Sequence, residues 1–365
     1  MNILWLSWRD IKNPDAGGAE KVAIEVASRF VRDGSKVSIY TSRFKDSKTQ
    51  EIVRGVNIIR HGNRLTCRFY AFIHYFQNRT KIDLIIDEIN TIPFFTPLYA
   101  KRKSICLIHQ LAKEYWFTHT IWPINQLGYR LEPFWLKLYK KSPTLALSSS
   151  TKADLIKLGF INIIKYNIGL DFMPRVIIKK DNHIIFLGRL VRAKGVEDAI
   201  RAFKIIHNRL PVYKLIIVGR GDAKYLNELK KLTRILGLEK VVKFTGYISD
   251  KEKITVLQKS KVTLIPSIRE GWAIVATEAN ALCSIPIAYN VAGLKDAIKN
   301  GQTGFLVKNN PQELAKVALK VISNEKLRKK LAENGYMQST DYSWEKTYFI
   351  IKKIIQQYSF NSNTL

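Results

Sequence analysis

The stretch VTLIPSIREGWAIVATEA, Val262–Ala279, contains the pattern that decides the fold. It opens with a short apolar run, Val262–Pro266, which is typical of a buried strand. A loop with Glu270 follows, and from about Ala273 the alanine-rich composition favours a helix. A strand that ends in a loop and continues as a helix is the unit from which parallel sheets are built.

The same unit recurs on both sides of that stretch. Short apolar runs predict strands at Asn2–Ser7, Lys36–Thr41, Val56–Arg60, Leu84–Asp87, Ser104–Ile108, Thr144–Leu147, Ile184–Leu187, Lys214–Val218, Val241–Phe244, Val262–Pro266 and Ile285–Ala288. Between them, helical spacing predicts helices that include Ala19–Asp33, Val196–Arg209 and Ala223–Leu236. Such alternation predicts an α/β fold with parallel sheets covered by helices on both faces.

Two series of these units predict two Rossmann-like domains, joined near Tyr166–Asp181. We expect an N-terminal domain at 1–170, a second domain at 171–341 and a C-terminal helix at 342–365. In open parallel sheets a ligand binds beyond the carboxyl ends of the strands. We therefore expect the site in the crevice between the two domains.

Charge is the unusual feature of the composition. The 365 residues include 60 Lys or Arg and 30 Asp or Glu, which gives a formal net charge of +30. Such a chain is attracted to nucleic acid, phosphorylated small molecules or an anionic membrane face. The three cysteines are far apart and form no CxxC, which favours a reducing, cytoplasmic setting over a zinc or disulfide framework.

Two glycines and two cations lie where a phosphorylated ligand would bind. Gly17 and Gly18 precede the first predicted helix, and glycine there lets the backbone approach an anion. The alternative is a turn that requires positive φ. Arg189 and Lys194 follow the first strand of the second series, and their charges suit a diphosphate leaving group. The alternative for them is ordinary surface basicity.

Two glutamates and a histidine are the other candidates. Glu270 lies in a strand-end loop, and Glu278 lies in an apolar helix where a buried carboxylate requires a partner. A ribose diol would serve Glu278, and the alternative is a structural salt bridge. His109 follows the strand Ser104–Ile108, where it is placed either to touch a substrate or to make a structural hydrogen bond. The chain has no D-x-D, P-loop, GxSxG or GxGxxG motif near these residues.

Taken together and in order, the motifs resemble those of family 4 glycosyltransferases with the GT-B fold. Glu270-x7-Glu278 is similar to the family's E-G-[FW]-G-x4-E-A signature, and Arg189-x4-Lys194-Gly195 to its G-R-L-x3-K-G motif. Further similar segments are Gly17-Gly18-Ala19-Glu20, Ser148–Leu155, Gly293–Asp296 and Asn300–Gly304. The resemblance implies two Rossmann-like domains that face a deep interdomain cleft, with the C-terminal helix crossing back to the first domain.

The resemblance also implies which residues bind the nucleotide part of a donor. Gly17 and Gly18 would admit the donor diphosphate to the first domain. Arg189 and Lys194 would neutralise that diphosphate, and Glu278 would hold the ribose.

The expected catalytic residues are His109 and Glu270. Glu270 would bind hydroxyls of the donor sugar, and the amides of Ala273, Ile274 and Val275 would lie near the sugar and phosphate. His109 would contact the sugar near the reacting carbon and help to stabilise the transition state. Ala273 stands where the family usually has Gly, and we expect this methyl group to narrow or shift donor choice.

The activity implied is that of a retaining hexosyltransferase. It would move a hexose from a UDP- or GDP-sugar to a glycan or a lipid-linked acceptor, such as a polyprenyl-linked one, in glycoconjugate, cell-envelope or protein-glycan synthesis. The nucleotide-sugar is a co-substrate, and neither a cofactor nor a metal ion is expected.

Aromatic residues mixed with basic ones suggest a membrane interface for the acceptor domain. The aromatic members are Tyr115, Trp116, Phe117, Trp122, Tyr129, Phe134, Trp135 and Tyr139. The basic members nearby in sequence or in the same domain are Arg60, Arg64, Arg68, Lys101, Arg102, Lys103, Lys140 and Lys141. Anionic lipid attracts each nearby Lys or Arg by about 1 kcal/mol, so peripheral association with the cytosolic membrane face is expected. The alternative is that the aromatic residues form core and dimer contacts.

Two other functions stay open at this point. The net charge of +30 allows a basic nucleic-acid-binding protein, but the charge is dispersed and no RRM, KH or zinc-finger signature occurs, so no nucleic acid is expected. The second open function is that of a partner subunit, which would be a catalytically inactive relative of these enzymes. Intact Arg189, Lys194, Glu270 and Glu278 argue against it.

Overall fold

A computed structural model describes residues 1–100, 103–172 and 179–361. The chain divides into two compact units. Unit 1 comprises Met1–Gly169 together with the chain from Trp344, and unit 2 comprises Leu170–Ser343. Each unit is built on its own β-sheet, so each is described by itself.

Unit 1 contains an eight-stranded sheet. Its strands are β1 (Asn2–Leu6), β2 (Lys36–Thr41), β3 (Gln50–Val53), β4 (Val56–Arg60), β5 (Leu84–Ile89), β6 (Ser104–Ile108), β7 (Thr144–Ala146) and β8 (Ile163–Lys165). Its helices before unit 2 are α1 (Gly18–Arg32), α2 (Cys67–Asn78), α3 (Tyr115–His119), α4 (Ile124–Lys137) and α5 (Ser149–Lys157). The strand order is β3-β4-β2-β1-β5-β6-β7-β8, so the order reverses between β1 and β5.

Pairing in this sheet is parallel except at one edge, where β3 runs antiparallel to β4. The sheet is therefore parallel as predicted, with one antiparallel edge strand that the apolar runs of the sequence did not predict. A two-residue turn joins β3 to β4, with positive φ at both Arg54 and Gly55. Such a turn matches the twist of a hairpin, but its first position is normally Asn, Asp or Gly, and arginine there does not predict a turn.

Unit 2 contains a six-stranded sheet in which all pairings are parallel. Its strands are β9 (His183–Leu187), β10 (Lys214–Val218), β11 (Val242–Gly246), β12 (Ser260–Ile265), β13 (Ile285–Tyr289) and β14 (Phe305–Val307). Its helices are α6 (Val196–Arg209), α7 (Ala223–Ile235), α8 (Asp250–Lys259), α9 (Ile274–Ala281), α10 (Leu294–Ala297), α11 (Pro311–Ser323) and α12 (Glu325–Ser339). The order β11-β10-β9-β12-β13-β14 confirms the second Rossmann-like domain.

The last described helix, α13 (Trp344–Asn361), packs on α1 of unit 1. The ring of Tyr348 meets that of Phe30 edge-on, with 4.8 Å between centroids. Glu345 accepts hydrogen bonds from Arg29 and Arg32 at 2.9 and 3.0 Å. The end of the chain is thus joined to its beginning by both apolar and ionic contacts.

We expect Tyr348→Ala to lower the free energy of unfolding by about 3 kcal/mol, because the variant leaves a cavity against Phe30. Tyr348 is 2% exposed, whereas its neighbour Phe349 is 61% exposed. Phe349→Ala is therefore the matched control, with an expected change within about 0.5 kcal/mol. Urea unfolding of the full chain measures both variants, and equal losses in the two would contradict this packing.

Candidate functional site

The candidate site of unit 2 lies where the strand order reverses, between the adjacent strands β9 and β12. Loops that leave such a pair of strands run in opposite directions and open a crevice beyond the carboxyl ends. The loop after β9 carries Arg189 and Lys194, and the loop after β12 carries Glu270. Three predicted residues are therefore positioned by the same switch point.

Lys194 and Glu270 are in direct contact. The Lys194 ammonium donates a hydrogen bond to the Glu270 carboxylate, and both side chains are largely buried. Each charge therefore offsets the cost of burying the other. An anionic ligand at this position would compete with Glu270 for the Lys194 ammonium.

Two glycines hold the loops around this ion pair. Gly195 has a φ of +67°, and a Cβ there would lie 2.1 Å from the carbonyl oxygen of Pro266. Gly293 has a φ of +79°, and its Cβ would lie 2.1 Å from the carbonyl oxygen of Glu270. Only glycine allows both the left-handed backbone and these approaches, so the two motif glycines fix the loop that carries Glu270.

The first turn of α9 follows Glu270 directly. Its N-cap, Ala273, has no side-chain cap, and the preceding Trp272 donates from its indole nitrogen to the Thr277 hydroxyl at 2.9 Å. Unsatisfied amides at a helix start carry partial positive charge. Of the amides predicted to face the ligand, that of Ile274 already bonds the Trp272 carbonyl at 3.0 Å, whereas Ala273 and Val275 lie on either side of it.

Glu278 is buried in α9 and accepts a hydrogen bond from Lys253 of α8 at 2.6 Å. Burial raises the pKa of the Glu278 carboxyl, Lys253 opposes this rise, and the carboxylates of Asp171 and Asp250 add to it. The contact is the structural salt bridge that was the alternative for Glu278, so a ribose would have to share the carboxylate with Lys253. No motif of the sequence pointed to Lys253.

In unit 1, His109 follows β6, and both of its ring nitrogens have partners. Nε2 lies 3.2 Å from Oε1 of Glu88, and Nδ1 lies 3.1 Å from the hydroxyl oxygen of Tyr166. Trp5 donates to the other oxygen of Glu88 at 2.7 Å. Because an ionised carboxylate only accepts, these contacts assign the proton to Nε2 and make Tyr166 the donor to Nδ1.

His109 therefore makes structural hydrogen bonds, which was the alternative interpretation of this residue. Glu88 and Tyr166 hold the ring at the carboxyl end of β6 and determine its tautomer. Neither Glu88 nor Tyr166 was predicted from the sequence. A glutamate at the end of an apolar strand was the one signal that pointed to Glu88.

The turn before α1 is held by Glu20, which is buried. Its carboxylate accepts from the Gly17 amide at 2.7 Å and from Arg9 at 2.8 Å. Gly17 has a φ of −145°, so the alternative of a positive-φ turn does not apply to it. The amide of Gly17 is committed to Glu20, and Gly18 begins the helix.

Several residues predicted for a membrane interface have other environments. Arg60 is fully buried and pairs with Asp10, so its assignment to that interface is wrong. Arg68 donates to the backbone carbonyl of Ile92, and burial lowers its pKa. Lys101 and Arg102 lie outside the described residues.

The aromatic residues of 115–139 divide into two sets. Trp116 and Tyr139 are buried in unit 1, as the alternative of core contacts predicts for them. Trp122 and Phe134 are exposed. The core interpretation is therefore confirmed for Trp116 and Tyr139, and a membrane interface at the exposed residues stays a prediction.

No group of three or more His, Cys, Asp or Glu residues in 1–100, 103–172 and 179–361 is arranged to hold a metal ion. Cys67, Cys106 and Cys283 are free and buried.

Comparison with known proteins confirms the family resemblance and the fold. The family model described as "Glycosyl transferases group 1" matches residues 171–338, and the one described as "Glycosyltransferase Family 4" matches 16–164. An uncharacterized glycosyltransferase of Methanocaldococcus jannaschii is 36% identical over 180 residues, which are 49% of each chain. The chain thus matches about half the length of that relative.

Two solved structures align with nearly the full length of the chain. Sucrose-phosphate synthase from Thermosynechococcus elongatus aligns with a TM-score of 0.81 at 18% identity and covers 98% of each chain. HepE of Anabaena, solved in complex with UDP and glucose, aligns with a TM-score of 0.73 at 19% identity and covers 100% of each chain. At such identities the likeness is one of fold.

We expect Lys253→Met to destabilise the chain by about 3 kcal/mol at pH 8, because it leaves the Glu278 carboxylate buried and unpaired. The folded-state pKa of Glu278 is already raised, so the charged form opposes folding as pH rises above the unfolded value. The loss should therefore shrink at pH 5. Urea unfolding at the two pH values measures this dependence.

Two further variants serve as controls for this coupling. Lys253→Met/Glu278→Gln should recover most of the lost stability, since no charge is then left buried. Lys251→Met removes an exposed lysine from the same helix and should stay within about 0.5 kcal/mol of the parent. A loss that is independent of pH and persists in the double variant would rule out the coupling.

Proposed function

The chain belongs to glycosyltransferase family 4, and on that basis we propose that it is a retaining hexosyltransferase using a nucleotide-sugar donor without a metal ion. The observation that carries the proposal is the contact between Lys194 and Glu270 at the switch point of unit 2. It joins a cation suited to a phosphate and a carboxylate suited to sugar hydroxyls. Arg189 lies in the same strand-end loop as Lys194.

We assign the leaving diphosphate to Arg189 and Lys194. As the bond from the sugar to the phosphate breaks, negative charge develops on the diphosphate, and fixed cations stabilise that charge. When the donor binds, Lys194 exchanges the Glu270 carboxylate for a phosphate oxygen. Glu270 is then free to accept hydrogen bonds from hydroxyls of the sugar, so donor binding itself releases the residue that orients the sugar.

We assign the ribose to Glu278, with Lys253 as its supporting residue. Burial raises the pKa of the Glu278 carboxyl, and the Lys253 ammonium opposes this rise and so favours the ionised form. An ionised carboxylate accepts from both ribose hydroxyls, whereas a protonated one would use an oxygen as a donor. That HepE was solved with UDP and glucose supports a UDP-sugar as the first donor to test, with a GDP-sugar as the other candidate.

For unit 1 we propose that His109 contacts the donor sugar near the reacting carbon. Glu88 and Tyr166 already fix the orientation and tautomer of its ring, so no reorganisation is needed at the moment of reaction. We further propose retention of the anomeric configuration, with the leaving phosphate assisting deprotonation of a glycan or lipid-linked acceptor.

The first test is nucleotide binding in the presence of a chelator. We expect UDP, or else GDP, to raise the melting temperature, because a ligand that binds only the folded state stabilises it by mass action. Lys194→Gln should weaken this binding at least about tenfold through the lost phosphate contact, which corresponds to about 1.4 kcal/mol. Lys214→Gln removes an exposed charge at the amino end of β10, remote from the switch point, and should bind like the parent.

Equal affinities of the parent and Lys194→Gln would refute the diphosphate assignment. Stabilisation by DNA or RNA but by no nucleoside diphosphate would instead favour the nucleic-acid-binding alternative.

The second test is turnover of the donor. We expect the rate to be unchanged by EDTA, because Arg189 and Lys194 supply the positive charge that a divalent cation would otherwise provide. Glu270→Gln should lower turnover by about a hundredfold while UDP binding stays within about threefold, since Glu270 is assigned to the sugar. Proton NMR of the product reports the anomeric configuration. A rate that EDTA abolishes and Mg²⁺ or Mn²⁺ restores would overturn metal independence.

A further inference from the structure

Two helices of unit 1 cover the same face of its sheet. Leu4 pairs with Ile85 and Asp87 pairs with Cys106, and Ile85 and Asp87 are two residues apart, so these side chains share one face. Helix α2 packs in the cluster that contains Leu4 and Ile85. Helix α4 packs through Leu136 in the cluster that contains Cys106. The outer sides of both helices therefore belong to one surface of unit 1.

The outer side of α4 is apolar and exposed. Ile124, Leu127, Leu131, Phe134 and Leu138 recur at helical spacing, and we call these five residues the α4 stripe. Their side chains are 38–63% exposed, and Trp122, just before the helix, is 77% exposed. On α2 and just before it, Phe69 and Leu65 are also exposed. Several large apolar side chains exposed next to one another on a helix that faces water indicate an interaction surface.

The orientation of the α4 stripe is fixed from the opposite side of the helix. There Glu132 is buried and accepts hydrogen bonds from the amides of Ala112 and Lys113 and from the indole of Trp116. A Cβ at Gly128 would lie 2.4 Å from the Trp116 ring, so the helix is pressed against that ring. Rotating the stripe inward would break these contacts and expose the Glu132 carboxylate.

The surroundings of the stripe are positively charged. Between Glu114 and Asp154 the only acidic residue is Glu132, which is buried. The basic residues in the same interval are Arg130, Lys137, Lys140, Lys141 and Lys152. The Lys137 ammonium lies 5.1 Å from the ring centroid of Phe134, at the edge of the stripe. Within 115–153 the chain thus combines an apolar strip with cations, and the one carboxylate of that interval is buried.

We propose that the α4 stripe, with Trp122 and the exposed apolar side chains of α2, docks on a bilayer that contains anionic lipid. An amphipathic helix with a basic rim lies in the interface plane, where its apolar side chains enter the acyl boundary and tryptophan reaches the headgroup level. Anionic headgroups attract the basic rim. None of the helices in the described ranges combines the length and hydrophobicity of a membrane span.

Charge decides between a bilayer and a second copy of the chain as the occupant. Two copies joined at this surface would bring two basic rims together, within chains that each carry a net charge of +30. An anionic bilayer complements the same rim. Docking does not depend on the donor chemistry of unit 2, and only its consequence, access to a lipid-linked acceptor, rests on the proposed function.

The test uses the full chain and vesicles of phosphatidylcholine with or without phosphatidylglycerol. We expect sedimentation with the mixed vesicles and not with pure phosphatidylcholine. Leu127→Ser/Phe134→Ser should weaken sedimentation by about tenfold or more, because two apolar side chains no longer enter the interface. Ile52→Ser/Ile235→Ser replaces two comparably exposed apolar residues elsewhere and should sediment like the parent.

Insertion must be separated from simple attraction of a basic protein to an anionic surface. In vesicles that also contain phosphatidylglycerol, phosphatidylcholine with brominated acyl chains should quench tryptophan fluorescence of the parent, and Trp122→Phe should lose most of that quenching. Equal sedimentation of the stripe variant and the parent, or no quenching at Trp122, would overturn the proposal. So would light scattering that shows a dimer in the parent and a monomer in Leu127→Ser/Phe134→Ser, because the stripe would then join two copies.

Thermal-shift titration of the same variants with UDP and GDP separates this inference from the proposed function. The stripe variant should bind nucleotide like the parent, which also shows that it is folded. Loss of vesicle binding with intact nucleotide binding supports the docking surface. Nucleotide binding by a parent that ignores anionic vesicles would overturn docking and leave the donor assignment intact.

Discussion

The close approach of Gly195 to the Pro266 carbonyl is the constraint on which the site of unit 2 depends. With any side chain at position 195, the loop after β9 could not lie against the end of β12, and Lys194 would move away from Glu270. Gly293 imposes the same condition on the other side of Glu270. The ion pair is therefore a consequence of backbone packing: two glycines determine where the charges of the site can be.

Buried carboxylates are stabilised by pairing in both units. Glu278 has Lys253, and Glu88 has the ring of His109 and the indole of Trp5. A buried carboxylate without such partners would carry an uncompensated charge, which costs free energy of folding, yet its two oxygens are the atoms that accept hydrogen bonds from a ligand. The hydrogen-bonding partners of Glu278 and Glu88 thus stabilise the fold and also hold each carboxylate in place to accept from a ligand.

The periodic elements could be predicted from the sequence, but their partners could not. Apolar runs locate β9 and β12 because buried parallel strands are continuously hydrophobic. Strand β3 has two polar and two apolar residues, none of them buried, and follows no such rule. Lys253 and Glu88 are brought to Glu278 and His109 by the fold, from 25 and 21 residues away. Sequence spacing does not indicate such pairings. From the sequence, a structural salt bridge for Glu278 and a structural hydrogen bond for His109 therefore stayed open as alternatives to ligand binding.

Helix α4 inverts the usual distribution of polarity, and this inversion explains why composition alone left its role open. In a water-facing helix the apolar side is buried and the charged side is exposed. In α4 the carboxylate of Glu132 is buried with three donors, while leucine and phenylalanine face outward. Polar contacts, rather than the hydrophobic effect alone, hold the helix in this orientation. The fold therefore keeps the α4 stripe exposed to water. Transfer of its apolar side chains from water into a bilayer would be favourable.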